Sequence, residues 1–166
     1  MRPAATFMNC VYTINENHQL GTGFFVHRRI VSAVKTVEFV SDRLSYTVLR
    51  GRWRNIVLVN VHATREEKSD EAKDSFYEEL EQVFDQFPKY RMKMLLGDFN
   101  AKVGRENIFK ATIGQESLHQ DSNDNGVRIV NFATSQNLVV KSLTGTFINT
   151  PGTPLMVRLT TRLTMC

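Results

Sequence analysis

Asp98 and Asn100 follow a short apolar segment of the sequence and have side chains that could act on a phosphate. We expect residues 92–96 to form a buried strand, with Gly97 allowing the chain to turn after it. Side chains two residues apart on extended chain point the same way, so Asp98 and Asn100 could converge on one phosphate or on its attacking water. A carboxylate can orient or deprotonate water, and a carboxamide can donate to a phosphate oxygen. The alternative is an Asx turn, in which both side chains only hold the backbone of the loop.

A second apolar run, residues 55–61, also ends in polar side chains. It is nearly continuous from Ile56 to Val59, which is typical of a central strand covered on both faces. His62 stands at its end, and two buried strands that end in polar side chains at one edge of a sheet form a natural cleft. A histidine at a strand end is also a common structural residue, so a structural role for His62 is the alternative.

Two helices are predicted between the strands. The first is expected to run from a cap at Ser69 to a stop at Pro88, with one apolar stripe opposite an acidic face. The second is expected to begin after residues 123–126. The residues expected to face the core are Phe76, Leu80, Val83, Phe84 and Phe87 in the first helix and Ile129, Phe132 and Ala133 in the second.

Further strands are predicted around these helices. They are expected at residues 10–14, 24–26, 30–40, 43–49 and 138–141, and residues 102–121 look like a loop. Leu44, Tyr46 and Val48 alternate with other residues, so their strand is expected to be buried on one face, and Gly51 is expected to turn the chain into a hairpin. Hairpin-joined strands with two interspersed helices favour an α/β layered sandwich over a doubly wound sheet.

Composition and charge narrow the expected partners and compartment. With 166 residues the chain is long enough for one domain with its own core, and it has no run of about eighteen apolar residues that would span a membrane. Two cysteines near opposite ends and no apolar leader favour a reducing compartment, so we expect an intracellular protein, nuclear or cytoplasmic, that is not secreted. The net charge of +4 leaves the chain basic outside the acidic residues 66–85, which favours polyanionic partners. The acidic residues are expected to form a solvated helix face rather than a metal site.

Three arginines alternate with other residues in the segment that joins two predicted strands. Arg50, Arg52 and Arg54 flank Gly51 and Trp53, so their side chains could line one face and bind phosphates. A solvated hairpin loop is the alternative interpretation of this segment.

Several blocks of the sequence resemble the endonuclease/exonuclease/phosphatase superfamily. The blocks are residues 60–63 (Asn-Val-His-Ala) and residues 97–106 (Gly-Asp-Phe-Asn-Ala-Lys-Val-Gly-Arg-Glu). Residues 113–114, 117–119, 123–128 and 131–133 are similar to the branch found in RTE-type retrotransposons. The resemblance extends from about residue 10 to residue 143. It implies an α/β fold, a four-layer sandwich of two packed, mainly antiparallel sheets flanked by helices, which is incomplete in this chain.

The resemblance implies metal-dependent cleavage of phosphodiester bonds in DNA, with Mg²⁺ or Mn²⁺ as the cofactor. Asp98 would help to activate the attacking water and is the remaining metal carboxylate. Asn100 would contact the scissile phosphate, and His62 would face the same phosphate. The candidate contacts to phosphate or nucleic acid are Asn60, Arg65, Arg52 and Arg54. Asn131 and Phe132 would support the cleft structurally.

The sequence departs from this family at both ends. The family's Gln-Glu-Thr stretch, with its first metal-binding carboxylate, has no counterpart before Cys10, and its Asn-Gln-Ile-Asp-His and Ser-Asp-His blocks have none after Phe147. Residues 1–147 are therefore interpreted as a partial domain and residues 148–166 as a divergent tail. We expect weakened metal binding and weak or no turnover, since loss of one general acid or base alone costs about 10²–10⁴-fold. The alternatives are a non-catalytic remnant that binds nucleic acid weakly and a phosphodiesterase or phosphatase of the same superfamily.

Overall fold

The computed structural model describes residues 8–12, 22–104, 121–142 and 146–149. Its strands are β1 (Met8–Tyr12), β2 (Gly23–His27), β3 (Val34–Phe39), β4 (Leu44–Leu49), β5 (Ile56–His62), β6 (Met92–Asp98), β7 (Val139–Ser142) and β8 (Thr146–Asn149). Its helices are α1 (Asp70–Asp85) and α2 (Asp124–Ser135), and a 3-10 turn covers Arg28–Ala33. Each strand and helix predicted from the sequence has a counterpart, although residues 30–33 lie in the turn rather than in extended chain. Residues 105–120, most of the predicted loop, lie outside the described residues.

Six strands form one mainly antiparallel sheet in the order β3-β4-β5-β6-β8-β7. Within the described residues, β5 and β6 are the one parallel pair of that sheet, and α1 lies in the crossover between them. Parallel neighbours must be joined by such a crossover, so both strands end at the same edge of the sheet. That edge is where His62 and Asp98 lie.

Helix α1 begins where the sequence predicts. Ser69 has the extended backbone of an N-cap residue, although its side chain makes no capping hydrogen bond. Asp70 and Glu71 place negative charge in the first turn, where the helix dipole favours it. The buried residues of the helix are Lys73, Phe76, Leu80, Val83 and Phe84. The helix ends at Asp85, shortly before Pro88.

Both helices pack on the same face of the sheet and enclose one core. The sheet contributes Leu44, Tyr46, Val48, Val57, Val59, Val61 and Leu95, and the helices contribute Phe76, Leu80, Val83, Phe84, Ile129, Val130, Phe132 and Ala133. The rings of Phe84 and Phe132 meet edge to face with their centroids 5.1 Å apart. This contact joins the two helices to each other as well as to the sheet.

The burial of β4 and β5 differs from the sequence-based expectation. Strand β4, expected to be buried on one face, is buried on both, because Ser45 and Thr47 on its second face are enclosed. The Thr47 hydroxyl donates to the Thr36 carbonyl oxygen at 2.9 Å, so this polar group is satisfied although it is buried. Strand β5, expected to be covered on both faces, alternates between buried and half-buried residues, and Leu58 lies on its half-buried face.

Strands β1 and β2 form a separate antiparallel pair. Asn60, on the face of β5 away from the helices, donates to the Gly23 carbonyl oxygen at 3.1 Å, so β2 lies on that second face. The α/β class is confirmed, and the described residues account for a helix layer, one full sheet and this two-stranded ribbon. A second full sheet stays a prediction, as does the domain boundary after residue 147, which falls within β8. Within the described part of the chain, neither helix is both long and apolar enough to cross a membrane.

Replacing Phe84 by alanine should lower the free energy of unfolding by about 3–5 kcal/mol, because the ring is fully buried in the core. Trp53→Ala is the matched control, since it truncates an aromatic ring that is 86% exposed. It should change the stability by less than about 0.5 kcal/mol. Urea unfolding followed by circular dichroism measures both variants, and equal losses would contradict the position of the core.

Candidate active site at the ends of two parallel strands

Asp98 and His62 lie side by side at the carboxyl edge of the sheet. They are direct partners in the register of β5 and β6, so the backbone places the two residues on adjacent strand ends. Gly97 makes this close approach possible, since its φ is +133° and a Cβ there would collide with the Val61 carbonyl oxygen. Beyond the strands, the Ala63 N–H donates to the Asp98 carbonyl oxygen at 2.8 Å. The structure therefore brings together the two polar strand ends that the sequence singles out.

Asp98 and Asn100 hold the loop that follows β6. The Asn100 N–H donates to Asp98 Oδ1 at 2.9 Å, which is the hydrogen bond of an Asx turn. Asn100 has a φ of 47°, in the left-handed region that asparagine tolerates, and its Nδ2 donates to the Ala63 carbonyl oxygen at 2.9 Å. Both residues therefore have the backbone role that the sequence leaves open as the alternative. Asp98 is exposed, so solvent and ligands can reach it.

His62 and Asn60 occupy the face of β5 that points away from the helices. His62 is half-buried there, and Asn60 is bonded to Gly23 as described above, so its carboxamide ties β5 to β2. Arg43, which the sequence does not single out, donates to the carbonyl oxygens of His62 and Ala63 at 3.3 and 3.4 Å. Its guanidinium places a positive charge beside the strand ends.

The arginines predicted to contact phosphate do not form one cluster. Arg65 is exposed in the loop that follows β5, at the same edge as Asp98. Arg52 and Arg54 lie in the loop that precedes β5. That strand has seven residues, so the two ends are about 20 Å apart at the rise of extended chain. Arg52 and Arg54 therefore belong to a different surface from the candidate active site.

The amino end of α2 is anchored to the loop that follows β6. Asn123 caps the helix, and its Oδ1 accepts from the Gly126 N–H at 2.9 Å and from the Lys102 N–H at 2.8 Å. The Asn123 N–H in turn donates to the Lys102 carbonyl oxygen at 3.0 Å. A Cβ at Gly126 would collide with that same carbonyl oxygen, so glycine allows the helix to approach the loop this closely.

Asn125 connects the loops that follow β5 and β6. Its Nδ2 donates to the Thr64 carbonyl oxygen at 3.0 Å and to the Asn100 carbonyl oxygen at 3.2 Å. The residue is 1% exposed, and Thr64 is 61 residues away in the sequence. The Tyr77 hydroxyl, from α1, donates to the Asn125 carbonyl oxygen at 3.5 Å. One buried carboxamide thus fixes the spacing of the two loops that carry the candidate site.

A carboxylate from the loop after β5 completes this anchor. Glu66 accepts from the N–H groups of Asp124 and Asn125, each at 3.2 Å, so its negative charge lies at the positive end of the α2 dipole. Lys73 is 4% exposed and donates to Asp124 Oδ2 at 3.0 Å, and its Nζ lies 3.9 Å from Glu66 Oε1. Lys73 therefore links α1 to the same helix end.

Arg128 extends the ionic contact between the helices. Its Nε donates to Asp124 Oδ2 at 2.8 Å, and its terminal nitrogens pair with Asp74 and, at 3.4 Å, with Asp70. The acidic face in residues 66–85, which the sequence predicts to be solvated, is therefore paired in part with α2. This corrects the expectation, because the partners lie on an element that is distant in sequence.

The described residues do not by themselves form a magnesium site. Within them, no group of three or more histidine, cysteine, aspartate or glutamate side chains is arranged to hold a metal ion. Asp98 supplies one carboxylate at the strand ends, whereas Mg²⁺ is bound in proteins by carboxylates together with phosphate oxygens and waters. The imidazole of His62 is a poor ligand for so hard a cation.

Sequence reasoning missed the residues that hold the loops. A signal existed for Asn123, because asparagine immediately before a helix is a common cap. None existed for Glu66 and Arg43, since their partners are far away in the sequence: Glu66 and Asp124 are 58 residues apart. Asn125 looks like an ordinary polar residue of a turn until its burial is known.

Comparisons with known proteins agree with the resemblance seen in the sequence. The chain is 28% identical over 120 residues to craniofacial development protein 2 of Bos taurus, and equally so to that of Tragulus javanicus. The matched residues are 72% of this chain but only 20% and 21% of those two proteins, so the chain spans about a fifth of the relatives it matches. No protein-family model matches the chain.

A solved structure decides the fold. The endonuclease domain of TRAS1, a telomere-specific non-LTR retrotransposon, matches with a TM-score of 0.56 over 84% of this chain and 64% of that domain. This chain has an endonuclease-type fold. The sequence identity of that match is 14%, so the likeness carries the fold alone, and activity has to be argued from the site.

Asn125→Ala should lower the free energy of unfolding by about 1–3 kcal/mol, because the buried Thr64 carbonyl oxygen and the part-buried Asn100 carbonyl oxygen would lose their donor. Asn131, which the family resemblance expects to support the cleft, is instead exposed on the same helix. Asn131→Ala is therefore the matched control and should change the free energy of unfolding by less than about 0.5 kcal/mol. Chemical unfolding of both variants makes the comparison. If Asn125→Ala were as stable as the control, the buried carboxamide would not be holding the loops.

Acid should weaken the contact between α1 and α2. Hydrogen bonds from Arg128, and then from Lys73, lower the pKa of the Asp124 carboxyl below its ordinary value of 3.8. A lowered pKa in the folded chain means that the charged form stabilises the fold. That contribution is complete above the ordinary pKa and is lost as the pH falls through the lowered value.

Asp124→Asn should therefore flatten the fall of the melting temperature below about pH 4, where the parent loses this contribution. Asp85→Asn, which removes a carboxylate from the exposed end of α1, is the matched control. Melting curves at a series of acid pH values provide the measurement. A steeper acid limb in Asp124→Asn than in the control would contradict the ion pairs.

Proposed function

We propose that this chain is an endonuclease-type domain that binds DNA at the carboxyl ends of β5 and β6 and hydrolyses its phosphodiester bonds slowly. The observation that carries the proposal is the pairing of His62 with Asp98 on adjacent strand ends, in a chain with the fold of a retrotransposon endonuclease domain. Arg43 and Arg65 add positive charge at the same edge, which favours a phosphate ligand.

Asp98 can hold the loop and act on water at the same time. A carboxylate has about four acceptor positions, and the Asn100 N–H uses one of them. The Asn100 Nδ2 carries two hydrogens, so one can go to Ala63 and the other to a phosphate oxygen. In this proposal the Asx turn orients both groups before substrate binds, which is how positioning contributes to catalysis.

Slow hydrolysis is proposed because the metal ligands at this edge are few. Asp98 is the carboxylate on the strand ends themselves, and the described residues contain no cluster of three metal-binding side chains. Dependence on Mg²⁺ or Mn²⁺, proposed from the family resemblance, would rest on Asp98 together with substrate phosphate oxygens and waters. His62 is assigned to the phosphate, where its imidazole can donate a hydrogen bond.

DNA is proposed as the substrate on chemical and comparative grounds. The strand ends carry positive charge, and the structural relative is described as the endonuclease domain of a telomere-specific retrotransposon. An intracellular location, nuclear or cytoplasmic, is part of the same proposal, because DNA is found inside the cell and the interior of the cell is reducing.

Asp98→Asn should lower the rate of plasmid nicking by about 10²–10⁴-fold while leaving the melting temperature unchanged. The asparagine Oδ1 can still accept from the Asn100 N–H, so this variant keeps the Asx turn and removes only the charge. Nicking of supercoiled plasmid is measured with Mg²⁺ and with Mn²⁺. Asp98→Ala, which removes both the charge and the turn, is the companion variant.

The two variants separate chemistry from structure. Nicking that survives in Asp98→Asn but fails in Asp98→Ala would mean that Asp98 only holds the loop, and the catalytic assignment would be wrong. Hydrolysis of an inositol phosphate in preference to DNA would mean that the proposed substrate is wrong, while the position of the active site would stand.

A non-catalytic DNA-binding domain is the second candidate. The observation that favours it is the engagement of both Asp98 Oδ1 and Asn100 Nδ2 with the backbone. This candidate predicts salt-sensitive DNA binding without nicking in either metal, and binding that is equal in the parent and in Asp98→Asn.

A further inference from the structure

The end of the sheet opposite Asp98 combines positive charge with exposed aromatic rings. Two loops meet there: residues 50–55, between β4 and β5, and residues 86–91, between α1 and β6. Their cationic residues are Arg50, Arg52, Arg54, Lys89 and Arg91, and their exposed aromatic residues are Trp53 and Tyr90. We name these seven residues the basic-aromatic patch. The patch is separate from the candidate active site, which lies at the other end of β5.

The two loops of the patch are bonded to each other. The Arg54 Nη1 donates to the Tyr90 carbonyl oxygen at 3.3 Å. The strands behind them are also in register, since Ile56 pairs with both Leu49 and Met92 at the start of β5. The patch is therefore one continuous surface and not two loops that happen to be basic.

The aromatic rings of the patch are unusually open to solvent. Trp53 is 86% exposed and Tyr90 is 63% exposed, which are the two largest values among the exposed large hydrophobic side chains of the described residues. Single exposed apolar side chains are ordinary, but two in bonded loops surrounded by cations are typical of a recognition surface. The Arg52 guanidinium lies 5.4 Å from the Trp53 ring centre, which is a cation–π contact within the patch.

We propose that the basic-aromatic patch binds single-stranded nucleic acid. Cations that alternate with aromatic rings match a strand whose phosphates alternate with unstacked bases, because the bases can stack on Trp53 and Tyr90 while the phosphates meet the arginines. A duplex keeps its base faces inside the stack and offers only phosphates, so it can contact the cationic side chains of the patch but cannot stack on Trp53 and Tyr90. The nearest acid in sequence is Asp85, at the end of α1, and the two loops themselves contain none.

The chain carries its own reporter for this site. Trp53 is its one tryptophan, so tryptophan emission of the full chain, excited at a wavelength that its four tyrosines do not absorb, reports on the patch alone. Titration with a short oligothymidylate should quench that emission through stacking, and the matching duplex should quench it much less. Trp53→Ala should weaken binding of labelled oligothymidylate, measured by anisotropy, by about 5- to 150-fold, and Trp53→Phe should retain most of it.

The charges of the patch are tested by salt dependence. Lys89→Gln and Arg91→Gln should each lower the slope of log affinity against log salt by about 0.7, the value for one lost phosphate contact on a single strand. Lys102→Gln is the matched control, since it removes an exposed positive charge at the opposite end of the sheet. It should leave the slope for oligothymidylate unchanged.

Several results would overturn the proposal. They are emission that does not respond to oligothymidylate, equal affinity of Trp53→Ala and the parent, or equal quenching by the duplex. Quenching by anionic phospholipid vesicles without a response to oligothymidylate would mean that the patch binds a membrane surface instead. Asp98→Asn should keep the quenching, so failure of the nuclease proposal and failure of this one are distinguishable.

Discussion

The hydrogen bonds between the amino end of α2 and the two strand-end loops are the constraint on which the candidate site depends. Strands β5 and β6 bring His62 and Asp98 to one edge, but a sheet edge alone leaves the following loops without fixed positions. Asn123 holds the loop after β6, and Asn125 joins it to the loop after β5. The helices therefore do more than cover the core, because the amino end of α2 fixes the positions of the two loops at the sheet edge that carries His62 and Asp98.

Charge pairs strengthen that constraint where helices meet. Lys73 is almost fully buried and would be costly without partners, yet it lies against Asp124 and Glu66 at the helix end. Arg128 ties Asp124 back to α1, and these hydrogen bonds lower the pKa of the Asp124 carboxyl. The acidic residues of α1 are thus both a solvated face and one side of an interhelical contact.

The sequence predicts the elements of this fold because their signals are local. The apolar stripe and the stop of α1 lie within a few residues of each other, and the runs of β5 and β6 are mostly apolar, interrupted by Asn60 and Lys93. The pairing of β8 with β6 was not predicted, and neither was the burial of Ser45 and Thr47, because both depend on strands that are distant in sequence. Because Ser45 and Thr47 are polar, the sequence predicts that β4 is buried on one face, whereas the strand is buried on both.

Some residues of the candidate site can likewise be predicted from local sequence, and others cannot. Asp98 and His62 were identifiable because each ends an apolar strand, and Asn100 because it follows Asp98 at a spacing of two. That β5 and β6 are neighbours in parallel register required the sheet order. Asn125 was out of reach, since its partners Thr64 and Asn100 are 61 and 25 residues away.

The parallel pairing of β5 and β6 also determines when the site comes into existence. Asn100 and Ala63 are 37 residues apart, so bringing their loops together requires closing a long segment of chain, whereas the β4–β5 hairpin closes a short one. In folding, the hairpin can therefore form early, and the edge with Asp98 is assembled only when α1 and α2 have docked. A local opening that releases α2 would dissolve this edge while the hairpin remains paired. The site therefore persists only while the whole domain is folded, whereas the loop of residues 50–55, which is the part of the basic-aromatic patch in the hairpin, can outlast it.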